Sequence, residues 1–175
     1  MLNFYVRMRD YAPLVQNLPG STASRTNVLQ DLFFLTRENQ QWTAVAYFVR
    51  TNDNYNNLDF PQGTSGSLYR FATNYTEAFF KQYPNQFWAD FLLASFDGNR
   101  ASRMLDGVVQ FKVRAYDPAG FWINTNLSAN IYTNAPSGAS AYYPFRETGD
   151  LLFLADAVPA SVEIELGVLE SKEIE

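Results

Sequence analysis

Two runs of alternating apolar and polar side chains constrain this chain most strongly. Residues 108–116 place Val109, Phe111, Val113 and Ala115 on one side of the backbone and Gln110, Lys112 and Arg114 on the other. Residues 162–168 alternate in the same way, after Pro159. A period of two predicts strands with one buried face. We expect the two strands to pair antiparallel, with Val162, Ile164 and Leu166 covering the same core as Phe111 and Val113.

The other segments predict more strands and a little helix. The pattern at 76–83 begins with Thr76 as a helix cap and Glu77 in the first turn, and 88–96 extends the helical region. Strands are predicted at 2–9, 42–50 and 67–73, with 42–50 and 67–73 paired. Residues 27–36 fit either a short helix or a buried strand, and we favour the strand. Long loops are expected at 10–24, 51–67 and 124–150. The fold class is therefore expected to be α+β, with mostly antiparallel sheets and one or two short helices in a single domain spanning 1–175.

Composition excludes several classes of function. The 175 residues carry a net charge of −5, which argues against a basic surface for nucleic acid. Histidine and cysteine are both absent, which excludes a Ser-His-Asp triad, thiolate or imidazole metal sites, and disulfides. No run of residues approaches the length of an apolar membrane span. Any catalysis would have to use carboxylates, tyrosine, lysine or serine.

The loop "NDNYNNLD" at 52–59 carries the only candidate metal ligands. Asp53, Asn57 and Asp59 are candidates for calcium, which prefers carboxylate and amide oxygens. The loop lacks the glycine and the terminal glutamate of an EF-hand, so a solvated polar loop is the alternative. We expect no obligatory cofactor.

Two other readings of the polar and aromatic residues stay open. Paired carboxylates could hydrolyse glycosides, and the candidates are Asp90, Asp97, Asp106, Asp117, Glu147 and Asp150. Asp117 and Asp97 are equally typical of turns. Exposed aromatic rings could stack on sugars, and the candidates are Trp88, Trp122, Tyr132, Tyr142 and Tyr143. In the alternative reading, Trp122 and Trp42 belong to the core and the tyrosines hold the loops in place.

Five segments in order resemble a known family. They are "DLFFLT" (31–36), "WTAVAYFV" (42–49), "GSLYRF" (66–71), "LDGVVQFKVRAYDPAGFW" (105–122) and "VPASVEIEL" (158–166). This order, with Arg70, Asp117, Trp122 and Pro159 in place, resembles the soluble domain of a J-type minor pseudopilin of type II secretion, or a related prepilin-like protein. The family's methylated N-terminal residue, processing site and long apolar helix are not in this sequence, and the loops at 51–65 and 124–157 are longer than in that family.

The resemblance implies a structural role and no catalytic site. It implies a pilin-like globular domain in the periplasm, held in the bacterial inner membrane by an N-terminal helix. Its partners would be other pseudopilins or pilin-like subunits in a short filament, with no nucleic acid involved. We expect this sequence to be the soluble part of a longer protein. Phe79, Phe80 and Phe87 are candidates for exposed apolar contacts. A carbohydrate-binding β-domain is the alternative function.

Overall fold

A computed structural model gives the fold of the chain. It describes residues 2–8, 15–17, 20, 22–50, 65–83, 86–96, 98–123, 130–133, 151–154 and 157–169. Eight strands form one sheet in the order β10-β7-β6-β5-β4-β1-β9-β8, and β2 and β3 form a small second sheet. The strands are β1 (Leu2–Met8), β2 (Val15–Asn17), β3 (Ser24–Thr26), β4 (Gln30–Glu38), β5 (Gln41–Arg50), β6 (Gly66–Thr76), β7 (Ser102–Tyr116), β8 (Asn130–Thr133), β9 (Leu151–Leu154) and β10 (Ser161–Val168).

The expected α+β pilin-like class is wrong. The described chain is mostly strand, in a curled antiparallel sheet of half-barrel form, with two short helices, α1 (Glu77–Gln82) and α2 (Gln86–Phe96). Only the β8–β9 pair is parallel among the described strands. β-branched and aromatic residues favour pleated structure. The strands therefore include more of the chain than the sequence pattern predicted.

The start of β4 reaches β7 and closes one side of the curl. Phe111 donates its backbone N–H to the carbonyl of Val28 at 2.8 Å, and Leu29 forms a parallel bridge with Phe111. The Gln30 side chain, which is buried, accepts the N–H of Val113 at 2.6 Å. β6 pairs only with residues 102–108 of β7. These contacts therefore supply hydrogen-bond partners to the part of β7 that β6 does not pair with.

Two hydrophobic cores lie on opposite faces of the sheet. The helices cover the first core, where Phe33 stacks on Phe87 with ring centres 5.7 Å apart and Phe80 stacks on Phe87 at 5.0 Å. The Thr76 hydroxyl accepts the N–H of Phe79 and caps α1, as predicted. The second core lies inside the curl and contains Phe4, Val6, Leu32, Val49, Leu68, Val108, Phe111, Val113, Ala115, Leu151, Phe153 and Ala157.

Several local predictions are confirmed and several are wrong. The strands at 2–9, 27–36, 42–50 and 67–73 are present, as are both helices and the predicted pairing of β5 with β6. β7 begins at Ser102, earlier than the predicted start at 108, and after the turn that follows it Trp122 forms an isolated bridge with Tyr116. The segments predicted as loops at 10–24 and 124–150 contain β2 and β8, respectively. The sequence pattern did not predict β9. Tyr5, which stands between Phe4 and Val6 in β1 and projects to the opposite face, is fully buried in the first core because helices cover that face.

Candidate interaction surface

β10 is the outermost strand at one end of the main sheet. It pairs antiparallel with β7 from Ser161 opposite Tyr116 to Leu166 opposite Phe111, as predicted from the two alternating runs. Within the part of the chain that the structure describes, β10 has a neighbour on one side only. An edge strand of this kind presents a row of backbone donors and acceptors to solvent.

The apolar face of β10 is not buried, which overturns the core assignment made from the sequence. Ile164 is 51% exposed, whereas Val113 directly opposite is 4% exposed; Leu166 and Phe111 differ in the same way, at 43% and 3%. Val162 and Val168 are also exposed. These four side chains, Val162, Ile164, Leu166 and Val168, form what we call the β10 apolar row.

The closure of the curl explains this exposure. Because residues 28–30 pair with β7, the second core is bounded at β7. β10 lies on the other edge of β7, outside that boundary. Its apolar side chains therefore point in the same direction as Phe111 and Val113, but no element of the described chain lies above them. Alternation in the sequence predicts the direction in which each side chain points. It does not predict whether another element covers the side chains on that face.

The free backbone groups of β10 belong to its apolar residues. Phe111 and Val113 give their N–H groups to Val28 and Gln30, and Ala115 accepts from Ile123 at 2.9 Å. These β7 residues therefore point their backbone groups away from β10. Their antiparallel partners Leu166, Ile164 and Val162 stand in non-hydrogen-bonded pairs, so their own N–H and C=O groups point to the open edge.

The opposite face of β10 carries two glutamates, Glu163 and Glu165. The Arg114 guanidinium bridges them, with N–O distances of 2.6 Å to Glu163 and 3.0 Å to Glu165. Arg25 on β3 also reaches Glu165, at 2.9 Å. Tyr116 donates its hydroxyl to Glu163, and this bond together with Arg114 and Lys112 lowers the pKa of Glu163.

The same network affects the neighbouring tyrosine and amide. The Glu163 carboxylate raises the pKa of Tyr116, because the phenol donates to it. Gln110, which is buried, donates its side-chain N–H to Glu165. Gly167 lies opposite Gln110, where an added Cβ would come within 3.0 Å of the Gln110 Cβ. The two glutamates are thus oriented by side chains of β7 and β3.

The regular part of β10 is bounded at both ends. Pro159 precedes the strand and has no N–H. At the other end the register with β7 shifts between Gly167 and Val168. Gly107 in β7 has φ 72°, and a Cβ there would lie 2.5 Å from the Leu169 carbonyl oxygen. The register with β7 is therefore regular from Ser161 to Gly167, and the residues whose backbone groups face outward lie within Val162–Leu166, five residues long.

The candidate carboxylates do not come together in the described residues. Asp90 on α2 accepts from Tyr75 and from Gln86, at 3.1 Å for the second. Asp106 in β7 accepts from Ser67 and Arg103, and the Ser67 bond is the main reason that its pKa is lowered. Asp117 accepts the N–H groups of Ala119 and Phe121, which is the turn role weighed in the sequence. Asp97, Glu147 and Asp150 lie outside the described residues.

The candidate aromatic residues divide between surface and interior. Trp122 is 46% exposed beside Phe121, which is 72% exposed, so Trp122 is not a core residue. Trp42 is half-buried and stacks on Phe80 at 4.8 Å. Phe80 and Phe87 are buried and only Phe79 of that predicted set is exposed. The side chains of Trp88, Tyr132, Tyr142 and Tyr143 lie outside the described part of the chain.

The helical side has one polar feature that the sequence reasoning missed. Tyr75 donates to Asp90, and its ring stacks on Phe79 at 5.1 Å. Burial, followed by the bond to Asp90, raises the pKa of Tyr75 to about 12. No sequence spacing connects these residues, because one is on β6 and the other on α2.

The proposed calcium ligands Asp53, Asn57 and Asp59 fall outside the described residues. Among the residues that are described, no group of three or more acidic side chains is positioned to hold a metal ion. The described helices are also too short or too polar to cross a membrane.

Comparisons with protein-family models, with curated proteins and with solved structures found no match to this chain.

Proposed function

We propose that this protein is a structural subunit of a type II secretion or pilus-like filament and acts by protein–protein contact. The observation that supports a contact role is the β10 apolar row on an edge strand. The order of the five sequence segments supports the filament assignment. In this proposal the domain lies in the periplasm, and an N-terminal helix anchors it in the bacterial inner membrane.

The way in which β10 is protected favours a role in binding another chain. Proteins commonly protect an edge strand with charges at its centre, with proline or with a bulge. Here the proline and the register shift stand at the ends, and the charges are held on one face by Arg114 and Arg25. At the centre, Ile164 lies exposed between Glu163 and Glu165, and its outward backbone groups have no partner among the described residues. This combination is typical of surfaces that receive another chain.

The gene upstream of Leu2 provides the first test. The proposal expects a short basic leader, a glycine before the mature first residue, a glutamate five residues on and about twenty apolar residues, the length of a membrane helix. A cleavable secretory signal, or another soluble domain directly before Leu2, would overturn the filament assignment.

A crosslink provides the second test. Because the chain has no cysteine, Ile164→Cys gives a single reactive thiol at the centre of the β10 apolar row. In the parent bacterium we expect this thiol to crosslink to an identified subunit of the same filament. The matched control is Glu38→Cys, at an exposed end of β4. Equal crosslinking at the two positions would count against the surface.

A carbohydrate-binding role is the second candidate, and the exposed pair Phe121 and Trp122 favours it. Asp117 fixes the turn that presents both rings, at 2.8 Å to the N–H of Phe121. Aromatic rings held rigidly in this way can stack on sugars. Binding on a glycan array that Trp122→Ala abolishes would support this candidate. Loss in Tyr142→Ala and Tyr143→Ala would extend it to that loop.

A further inference from the structure

We propose that β10 receives an extended segment of a neighbouring subunit as a ninth strand of the sheet, and that this segment alternates apolar and basic residues. The inference rests on the proposed contact function and adds the chemistry of the partner. It needs three properties of the surface, which are backbone groups to pair with, an apolar row to cover and a charge to match.

The backbone of β10 offers the first property. Val162, Ile164 and Leu166 direct their N–H and C=O groups to the open edge, because their partners on β7 are occupied by Val28, Gln30 and Ile123. The bounded length of Val162–Leu166 admits a short strand. Addition of such a strand pairs each of these groups without moving any hydrogen bond between β7 and β10.

The side chains offer the second property. Residues of an added strand that lie opposite Val162, Ile164 and Leu166 would project on the same side as the β10 apolar row. Apolar side chains at those positions would extend the layer that begins with Phe111 and Val113. They would also remove Ile164 from water, where half of its surface now lies.

The charges offer the third property and select the partner. Residues opposite Glu163 and Glu165 would stand in non-hydrogen-bonded pairs, where Cα atoms are only about 4.5 Å apart. Arg114 and Lys112 lie one strand further away, about 4.8 Å on. Arg25 reaches Glu165 from β3, outside the main sheet. The charges carried by the edge strand itself are therefore carboxylates, and both side chains retain exposed surface. Lysine or arginine fits at the two alternate positions.

A second copy of this chain fits the same edge less well. Two β10 strands related by a two-fold axis through Ile164 would match Val162 with Leu166 of the other copy. They would also set Glu163 directly opposite Glu165 on both sides of the axis. Like charges in directly opposed positions destabilise a strand pair. Charge thus favours a different chain with basic residues over self-association.

Binding of labelled heptapeptides to the purified protein tests the proposal. The probe is the peptide TVKIRVT, and its charge-reversed control is TVEIEVT; binding is followed by fluorescence anisotropy. We expect TVKIRVT to bind at least about tenfold more tightly than TVEIEVT. The double change Glu163→Lys with Glu165→Lys should reverse this preference. The control Glu38→Lys has the same sign of charge change at the exposed end of β4 and should leave it intact.

A proline variant separates strand addition from simple attraction of charges. Ile164→Pro removes an outward N–H and leaves the bonds between β10 and β7 in place. It should weaken binding of TVKIRVT by about tenfold or more while thermal unfolding shows that the protein is folded. If this variant fails to fold, Val162→Pro, nearer the strand end, serves the same purpose. Unchanged binding in a folded proline variant would overturn the proposal.

The remaining outcomes are also decisive. Equal binding of the two peptides, or binding of neither to the folded protein, overturns the proposal. So does a protein dimer in sedimentation velocity that Ile164→Pro dissolves, because the occupant would then be a second copy. If the upstream gene encodes the expected leader but neither peptide binds, the filament function stands and only strand addition fails.

Discussion

At the scale of single residues, Ile164 and Val113 show what determines burial in this protein. They lie directly opposite one another and point the same way, yet only Val113 is in the core. Their alternating sequences are indistinguishable on this point. Tyr5 shows the reverse case. It alternates in the sequence with Asn3 and Arg7, two positions away on either side, yet it is buried in the core that helices much later in the chain cover. Sequence pattern predicts the direction of a side chain, and tertiary contacts decide its burial.

Matched lysine substitutions test this difference. Ile164→Lys should change the free energy of unfolding by only about 0.5 kcal/mol, because the ammonium group stays in water. Val113→Lys should cost more than about 3 kcal/mol, because it buries an unpaired charge. A kilocalorie corresponds to a shift of about 2–4 °C in Tm for a chain of this size, so thermal melts separate the two. Similar losses in both variants would contradict the exposure of β10.

Tyr75 gives a prediction at high pH. Folding raises its pKa to about 12 from the usual value near 10, so the folded state favours the neutral phenol. The stability linked to this group is therefore complete below about pH 10 and is lost as the pH rises through about 12. Spectrophotometric titration should show a late-ionising tyrosine that Tyr75→Phe removes. The same titration in Tyr83→Phe, at an exposed ring, should retain it.

At the scale of elements, β7 is the strand on which the architecture depends. Its first half pairs with β6 and its second half with β10, with Gly107 between the two. The sequence predicted the second half, its faces and its pairing with β10. It did not predict the first half or the contact of Gln30 with Val113, because neither produces a local period in the sequence.

Gly107→Ala tests the close approach of Gly107 to Leu169, at the point where the partner of β7 changes from β6 to β10. The added Cβ would meet the Leu169 carbonyl at 2.5 Å, in addition to the strain of a positive φ. Gly120 has a similar φ of 83° and nothing within 4 Å, so Gly120→Ala contains the strain without the clash. We expect Gly107→Ala to be the more destabilising by at least about 1 kcal/mol in urea denaturation. Equal losses of stability in the two variants would show that Leu169 moves aside at little cost in free energy.

Gln30→Leu tests the side chain that continues the ladder of β7. The variant removes the acceptor of the Val113 N–H in a buried position, and an unsatisfied buried donor costs about 1–3 kcal/mol. Chemical denaturation should show this loss, together with faster hydrogen exchange at the Val113 amide. Protection of that amide equal to the parent's would mean that the bond is dispensable.

At the scale of the whole molecule, acid should weaken the fold. Glu77, Glu163 and Asp106 have lowered pKa values, caused chiefly by bonds from Lys81, Tyr116 and Ser67 respectively. Their stabilisation is present above the ordinary carboxyl pKa of about 4 and is lost as pH falls through their lower folded values. Urea midpoints at neutral and strongly acidic pH should show this loss. Glu163→Gln should reduce the difference, whereas Glu38→Gln should not.

The arrangement of the sheet also determines how a load would enter the molecule. A pull on β10 along its axis would act on all its hydrogen bonds with β7 at once, from Ser161 to Leu166. β7 would pass the load to β6 and, through Val28 and Gln30, to β4. A pull away from the sheet would instead open those bonds one after another, and β10 buries no large apolar side chain to resist it. The edge strand is thus mechanically strong in shear and weak in peeling.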